Sequence, residues 1–432
     1  MPIIMSERRT VRRDAIDETY ICWEHRSGLR IFVIPKERSA AFAAVTVRFG
    51  ADDVRYRPKK GAAVRELPEG VAHFLEHKMF AEENGIDAFE LYAKTGADAN
   101  AFTAHDRTCY LFSCTDSFET NLRILLHSVT HPYFTEESVE KEKKIIAEEI
   151  GMYEDNPEAR VDRGLMRALY RRHPIRSDVL GTKKSIAAIT PELLYECTSA
   201  FYTPRNMFLV VAGTVSPDDV ERVCDEVLPA DAPPFTAERI PAEEPDSVAA
   251  ERSVTSFPVA QPLVSIGFKS PAPASSEEDM LFSAANAVNI HLLFGRSGDF
   301  FNRLYESGLI SERFGAYYST EIGCAYTEVG AVCEDPDALL REVRAEIARR
   351  RETYFTEEEF DSARRAVYAN CLFPLDSVED TALICSAYLV RGTDYITWPE
   401  TVLQLTREQA KAVLDRTIDP DRYAVSILLP GR

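Results

Sequence analysis

Basic charge, long apolar runs and patterned cysteines are what this sequence has too little of. Its 50 Lys and Arg face 70 Asp and Glu, a formal net charge of -20. No basic stripe for phosphates breaks that balance, so a nucleic-acid partner is not expected. The acidity is read as solvated surface, with an acidic interior suited to cationic substrates as the alternative. No stretch reaches the roughly 18 apolar residues of a bilayer-crossing helix, and no membrane association is expected. The 9 cysteines are odd in number and include no C-x-x-C pair, which predicts buried reduced thiols and argues against a disulfide scaffold. Residues 1–20 have no apolar core, and their Arg8, Arg9, Arg12 and Arg13 alternate with Glu7, Asp14, Asp17 and Glu18. Neither a secretory nor a transit peptide fits, and the cytoplasm is the expected compartment.

What is present is enough apolar material for two cores. A chain of 432 residues, 45% hydrophobic, predicts two or more domains of about 200 residues each. β-Branched and aromatic runs predict strands over 19–25, 29–35 and 42–49, then over 108–114 and 207–212. Helical periodicity marks 86–94, 118–130, 135–155 and 217–228. The segment 229–251, PADAPPFTAERIPAEEPDSVAAE, is rich in Pro, Ala and acidic residues and reads as a linker. The predicted organisation is therefore a first αβ domain over 1–228, the linker, and a second αβ domain over 252–432. Element order reads as repeated across the linker in three places. Strand 263–269 resembles 44–49, GDFFNRLYESGLI (298–310) echoes GIDAFELYAKTGAD (85–98), and DPDRYAVSILLPG (419–431) matches TPRNMFLVVAG (203–213). Ordinary αβ similarity is the competing explanation.

Histidine is also scarce, with 8 in the whole chain, yet two of them stand in one pentapeptide, His73-Phe74-Leu75-Glu76-His77. On a helix His73 and His77 occupy one face at i and i+4, with Glu76 close beside them. Two imidazoles facing one way suit two corners of a tetrahedral zinc, and a third protein ligand must then come from elsewhere. A chance match to H-x-x-E-H in so histidine-poor a chain arises roughly once in a hundred sequences. The plainer alternative is two polar residues sharing an exposed helix face. Downstream, the seven-residue spacing of the 135–155 helix gives the stripe Val139, Glu142, Ile146, Glu149, Tyr153, which puts two carboxylates on an apolar face. An inward carboxylate needs a partner, and a metal is one. In the second half the comparable position is His291, with neither a second His nor a Glu, so a structural role is expected for it.

HFLEH (73–77), ANAFTAHDRTCYLF (99–112), VEKEKKIIAEEI (139–150) and YTPRNMFLVVAG (202–213) resemble the inverted-motif zinc peptidases of the pitrilysin, insulinase and mitochondrial-processing-peptidase type. HFLEHKMF, PYFTEESVEKEKKIIAEEI and MYEDNP are most similar to the bacterial YmfH-like branch. The resemblance implies an α+β fold of two duplicated αβ domains of the LuxS/MPP-like metallohydrolase type, with an antiparallel-rich sheet and helices on one face. It implies that His73 and His77 bind Zn2+ and that Glu76 is the catalytic base. Glu149, 72 residues after His77, matches the third ligand, with Glu148 as the competing carboxylate. Glu142 matches a carboxylate that orients the ligands. Asn100, Ala101 and Phe102 match a sheet edge on which an extended peptide substrate adds a strand.

One departure concerns the second half. Where the family often carries Arg and Tyr in a segment like R-E-x-x-G-L-A-Y, this chain has Leu304 and Ser311. Arg303, Tyr317 or Tyr318 are candidates to substitute, and a second chain is the other source, since family members of this length pair into a chamber as homodimers or as heterodimers with a paralogue. The reading is a zinc endopeptidase acting in a dimer. Its rivals are a non-catalytic assembly subunit of a peptidase heterodimer and a zinc amidohydrolase.

Overall fold

In the computed structural model, which describes residues 7–81, 83, 85 and 87–431, the chain opens with an antiparallel hairpin, β1 (Arg9–Arg13) and β2 (Glu18–Glu24). β3 (Arg30–Pro35) and β4 (Ala41–Val47) follow, then the short β5 (Arg55–Arg57) and β6 (Arg65–Glu66). α1 (Val71–Lys78) and α2 (Ala88–Thr95) come next; Ile86, the predicted start of α2, lies outside the described residues. β7 (Asp98–Thr103) and β8 (Thr108–Cys114) form a hairpin, and α3 (Phe118–Thr130), α4 (Glu136–Glu154) and α5 (Pro157–Leu169) follow. α6 (Lys183–Ala187), α7 (Pro191–Phe201), β9 (Met207–Gly213), α8 (Pro217–Val227) and β10 (Glu238–Arg239) complete the first half.

The second half runs β11 (Arg252–Phe257), β12 (Leu263–Ser270), α9 (Ser276–Phe294), α10 (Asp299–Glu306), β13 (Gly315–Glu321) and β14 (Cys324–Val332). It ends with α11 (Pro336–Glu352), α12 (Glu357–Leu372), α13 (Val378–Val390), α14 (Trp398–Gln404), α15 (Arg407–Thr417) and β15 (Tyr423–Pro430). No described helix is long and apolar enough to cross a membrane.

Sheet order establishes the duplication. The larger sheet is β1-β2-β3-β9-β4-β8-β7, and the second is β11-β15-β12-β14-β13. In each, one parallel pair (β3 with β9, β11 with β15) is followed by three strands paired antiparallel. All three local likenesses read from the sequence fall on equivalent elements: β4 and β12, α2 and α10, β9 and β15. Both sheets are antiparallel-rich, as expected for this α+β fold. The first differs by its added β1-β2 hairpin, whose arginine-rich β1 is a short charged edge strand of the kind that resists edge-to-edge pairing.

The chain divides into two compact units, one of residues 1–150, 178–240 and 372–396, the other of 151–177, 241–371 and 397–432. Each contains a helix from the other half of the sequence. α13 packs on β4 and β9 within the first unit, and α5 packs on β12 and β15 within the second. The core of the first unit gathers Val45, Phe74, Leu75, Phe112 and Ile146, all fully enclosed. Each such side chain contributes ~1.5–3 kcal/mol by leaving water. All nine cysteines are buried, and none of them is joined in a disulfide.

The 229–251 segment is pinned along much of its length. β10 pairs with β5, and the Arg239 guanidinium meets the Asp53 carboxylate. Farther on, in the second unit, Glu244 accepts hydrogen bonds from the backbone N–H groups of Arg171, Arg172 and His173 at 2.7–3.0 Å and from buried Lys269 at 2.6 Å. Burial alone would raise the Glu244 pKa, but the bond from Lys269 and the three backbone donors outweigh it and hold the pKa down at about 2. A depressed carboxyl stabilises the fold above its unfolded pKa and loses that contribution as pH falls through the folded value, here from about 4.5 to about 2. Glu244→Ala, which strands the Lys269 ammonium, is expected to destabilise the second unit by about 3–5 kcal/mol at pH 7 and by much less below pH ~3. Urea unfolding of both proteins at the two pH values checks it; equal losses at both would contradict the charge argument.

Candidate metal centre

The site begins at the N-terminus of α1. Gly70 caps it at φ 86°, and a Cβ there would meet the Leu180 carbonyl oxygen at 2.3 Å, so glycine is required both by the left-handed backbone and by the crossing of the 180–181 loop. From that start α1 is enclosed on nearly every side. Val71, Ala72, His73, Phe74, Leu75 and Lys78 are buried, whereas Glu76 and His77 are half-buried. His73 is only 7% exposed, which rules out two histidines sharing a solvent face by chance.

Facing α1 is α4. Thr135 and Ser138 cap it reciprocally: the Thr135 hydroxyl accepts from the Ser138 N–H at 3.1 Å, and the Ser138 hydroxyl from the Thr135 N–H at 3.2 Å. Val139, Ile146 and Ile150 are its buried side chains. Glu142 and Glu149 lie on the half-buried flank of that stripe and Glu148 is exposed. Tyr153, expected on the same inward stripe, is instead 42% exposed; the chain leaves the first unit after Ile150, the last buried residue of α4.

His73, His77 and Glu149 come together. Each offers one donor atom, and these lie within 4.8 Å of one another, the one such group of three or more among the described residues. His73 Nε2 is 3.8 Å from one Glu149 oxygen, and His77 Nε2 is 3.6 Å from the other. These separations are too long for hydrogen bonds. Ligands ~2.0–2.2 Å from a tetrahedral zinc stand roughly 3.4 Å apart, so the donor set fits such an ion with little adjustment.

The protonation states suit the same purpose. Burial, with the neighbouring His77 adding to it, pushes the His73 pKa down to about 4, which leaves a neutral imidazole with a lone pair. For His77 burial acts downward too, but the hydrogen bond from Nδ1 to Glu142 at 3.0 Å and the charges of Glu76, Glu142 and Glu149 reverse the direction. With that proton directed at Glu142, Nε2 is the atom turned toward Glu149, the arrangement in which a carboxylate orients a ligating histidine. Burial would raise the Glu142 pKa, yet His77 and buried Lys78, whose ammonium is 3.4 Å from the other Glu142 oxygen, hold it low. The Glu149 carboxyl is shifted upward by burial, and Asp178 and Glu142 push the same way against His77. Glu76 is raised by burial despite a 2.6 Å hydrogen bond from the Thr103 hydroxyl.

Lys78 and Asp178 escape a reading of the sequence by motif. For Lys78 a signal existed, a charge amid the apolar residues of a helix too enclosed to expose it. Asp178 had none, since it reaches the site through a loop 29 residues beyond Glu149.

Asn100, Ala101 and Phe102 belong to β7, which pairs with β8 and is the outer strand of its sheet. The exposed Asn100 accepts from the Ala101 N–H at 2.9 Å, and the Arg107 guanidinium lies 5.8 Å from the Phe102 ring centre. In the second unit Leu304 is buried and Ser311 half-buried. The Arg303 guanidinium is bound to Glu342 at 2.8 Å, and the Tyr317 hydroxyl donates to Glu328 at 2.7 Å; Tyr318 is half-buried on the same strand. His291, on α9, lines a cavity of about 350 Å³ with Phe300 and Arg350, and burial lowers its pKa.

Known proteins match both halves of this chain. Residues 64–183 match the family described as Insulinase (Peptidase family M16), and residues 188–367 match the one described as Peptidase M16 inactive domain. An uncharacterised zinc protease of Bacillus subtilis, YmfH, is 33% identical over 428 residues, 98% of this chain and 99% of its own. The crystal structure of an M16-like peptidase from Alicyclobacillus acidocaldarius superposes with a TM-score of 0.90 at 33% identity, covering 98% of both chains. A protease from Helicobacter pylori shares the fold, with a TM-score of 0.79 at 18% identity over 99% of this chain and all of its own. With the duplicated sheets and the α1-α4 cluster already in place, a match that runs end to end to a zinc protease makes this chain a member of the M16 peptidase family.

Proposed function

We propose that the chain is a zinc metallo-endopeptidase that cleaves unfolded peptides or short protein segments. The observation that carries this reading is the convergence of His73 Nε2, His77 Nε2 and a Glu149 oxygen, with Glu76 beside them on the same helix. His73, His77 and Glu149 would hold Zn2+, which when bound supplies Lewis acidity, polarising a carbonyl and making water a nucleophile near neutral pH. Glu76 takes the proton of the attacking water and delivers it to the departing amine. Glu142 keeps the Nδ1 proton of His77 in place, and Lys78 keeps Glu142 ionised. Along β7 the main chain of Asn100, Ala101 and Phe102 receives an extended substrate as an added strand, which restricts substrates to segments without structure of their own.

The active assembly in this reading is a dimer. Leu304 and Ser311 offer neither a cation nor a phenol, and Arg303 is engaged by Glu342, so the electrophilic groups come from a second copy or a paralogue. The same Leu304 and Ser311 favour a second reading, a non-catalytic subunit of a peptidase heterodimer. Nine buried thiols outside any disulfide support the cytoplasm as the compartment.

Metal analysis of the purified chain is expected to find close to one zinc per chain, and a random peptide mixture is expected to be cut, as read by mass spectrometry. Cleavage only after a co-purifying paralogue is added would assign the missing groups to that chain. A protein without zinc, or one that leaves the mixture intact both alone and with the paralogue, would end the peptidase reading.

A further inference from the structure

A carboxylate at the end of a flexible side chain needs an anchor before it can meet a proton in one place. Glu76 has one in Thr103, whose Oγ1 donates to Glu76 Oε2 at 2.6 Å. Thr103 is the last residue of β7, directly opposite Thr108 of β8. The Thr108 hydroxyl is already committed to the Phe49 carbonyl at 2.9 Å, in a buried position, so the register of the hairpin is held from behind. Side chains alternate across a strand, which puts Ala99, Ala101 and Thr103 on the face toward Glu76 and Asp98, Asn100 and Phe102 on the other. β7 is also the outer strand of its sheet. One hydrogen bond thus joins the free edge of the sheet to the carboxylate of α1.

We propose that Thr103 is a positioning residue: its hydroxyl selects the orientation of the Glu76 carboxylate and couples a peptide paired along β7 to that orientation. The proposal rests on the peptidase reading for its catalytic consequence. Threonine suits the task because its branched Cβ leaves few rotamers, so the hydroxyl is fixed by the strand itself. A bond to an ionised oxygen is about twice as strong as one between neutral groups, and it leaves the remaining lone pairs of Glu76 free for a proton.

Thr103→Val keeps the shape and removes the donor; Thr103→Ser keeps the donor. In the peptidase assay the Val variant is expected to lose about 10- to 100-fold in kcat, with KM within about twofold and zinc content unchanged, and Ser is expected to recover most of the loss. A purely structural role predicts the opposite ranking, because valine is the better strand former and serine the poorer. Val as active as wild type with Ser impaired would therefore overturn the proposal. The contact itself is tested without activity, by urea unfolding of the metal-free chain in a double-mutant cycle of Thr103→Val with Glu76→Leu. A coupling of about tenfold in the unfolding constant is expected, and additive effects would refute the contact. If the wild type cuts no peptide, the peptidase reading fails on its own; the cycle then still decides whether Thr103 holds Glu76.

Discussion

Glu76→Gln is expected to bind zinc as wild type does and to cleave peptides about 10²–10⁴-fold more slowly, the range that a positioned acid-base group contributes. Glutamine has the same shape, and its carbonyl oxygen can still accept the Thr103 hydroxyl, so the half-buried pocket stays satisfied. What it cannot do is take up a proton. Glu76 also lies outside the His73, His77 and Glu149 group, so its substitution leaves the three donors in place. Zinc content and kcat measured on the same preparation separate the two effects. A Gln variant that cleaves at the wild-type rate would remove Glu76 from the chemistry, and one that loses zinc together with activity would make it a ligand or the support of one.

How much of this was legible in the sequence depends on how local the signal is. The His73-His77 pair and the Glu142-Glu149 stripe follow from helical spacing, which needs no knowledge of the rest of the fold. Spacing does not say where a helix leaves its core, and so it puts Tyr153 inward although α4 passes out of the first unit three residues earlier, after Ile150. β7 shows the opposite case, legible through the family resemblance and not through periodicity. Asp98, Ala99, Asn100 and Ala101 are poor strand formers, and they are held in the sheet by pairing with the buried β8, an interaction that local propensity does not reveal. The exchange of α5 and α13 was hidden for a similar reason, since periodicity reveals that a helix has an apolar face but not which sheet it covers. The duplication was readable because likenesses at 263–269, 298–310 and 419–431 kept their order, even where no single one was strong.

Glu149→Ala is expected to weaken zinc binding by ~10²–10³, whereas Glu148→Ala leaves it unchanged. Structural zinc sites contribute ~10–16 kcal/mol over four ligands, or about 2.5–4 kcal/mol for each. Only Glu149 brings its oxygens to 3.6 and 3.8 Å from the two imidazoles, and Glu148 faces solvent. The surroundings add a second, sharper expectation. Without a metal, burial works first against the Glu149 charge, and repulsion from Asp178 and Glu142 adds to it against the attraction of His77. Glu149→Gln, which relieves that repulsion, should therefore unfold at the same or a higher temperature than wild type when both are metal-free. Added zinc should reverse the order, because an ion that binds only the folded chain stabilises it in proportion to its affinity. Thermal unfolding with and without zinc reads both halves at once. If Glu149→Gln were the less stable protein in the metal-free state, the carboxylate would be serving the fold itself, and the crowding of negative charge at α1 and α4 would need an explanation other than a cation.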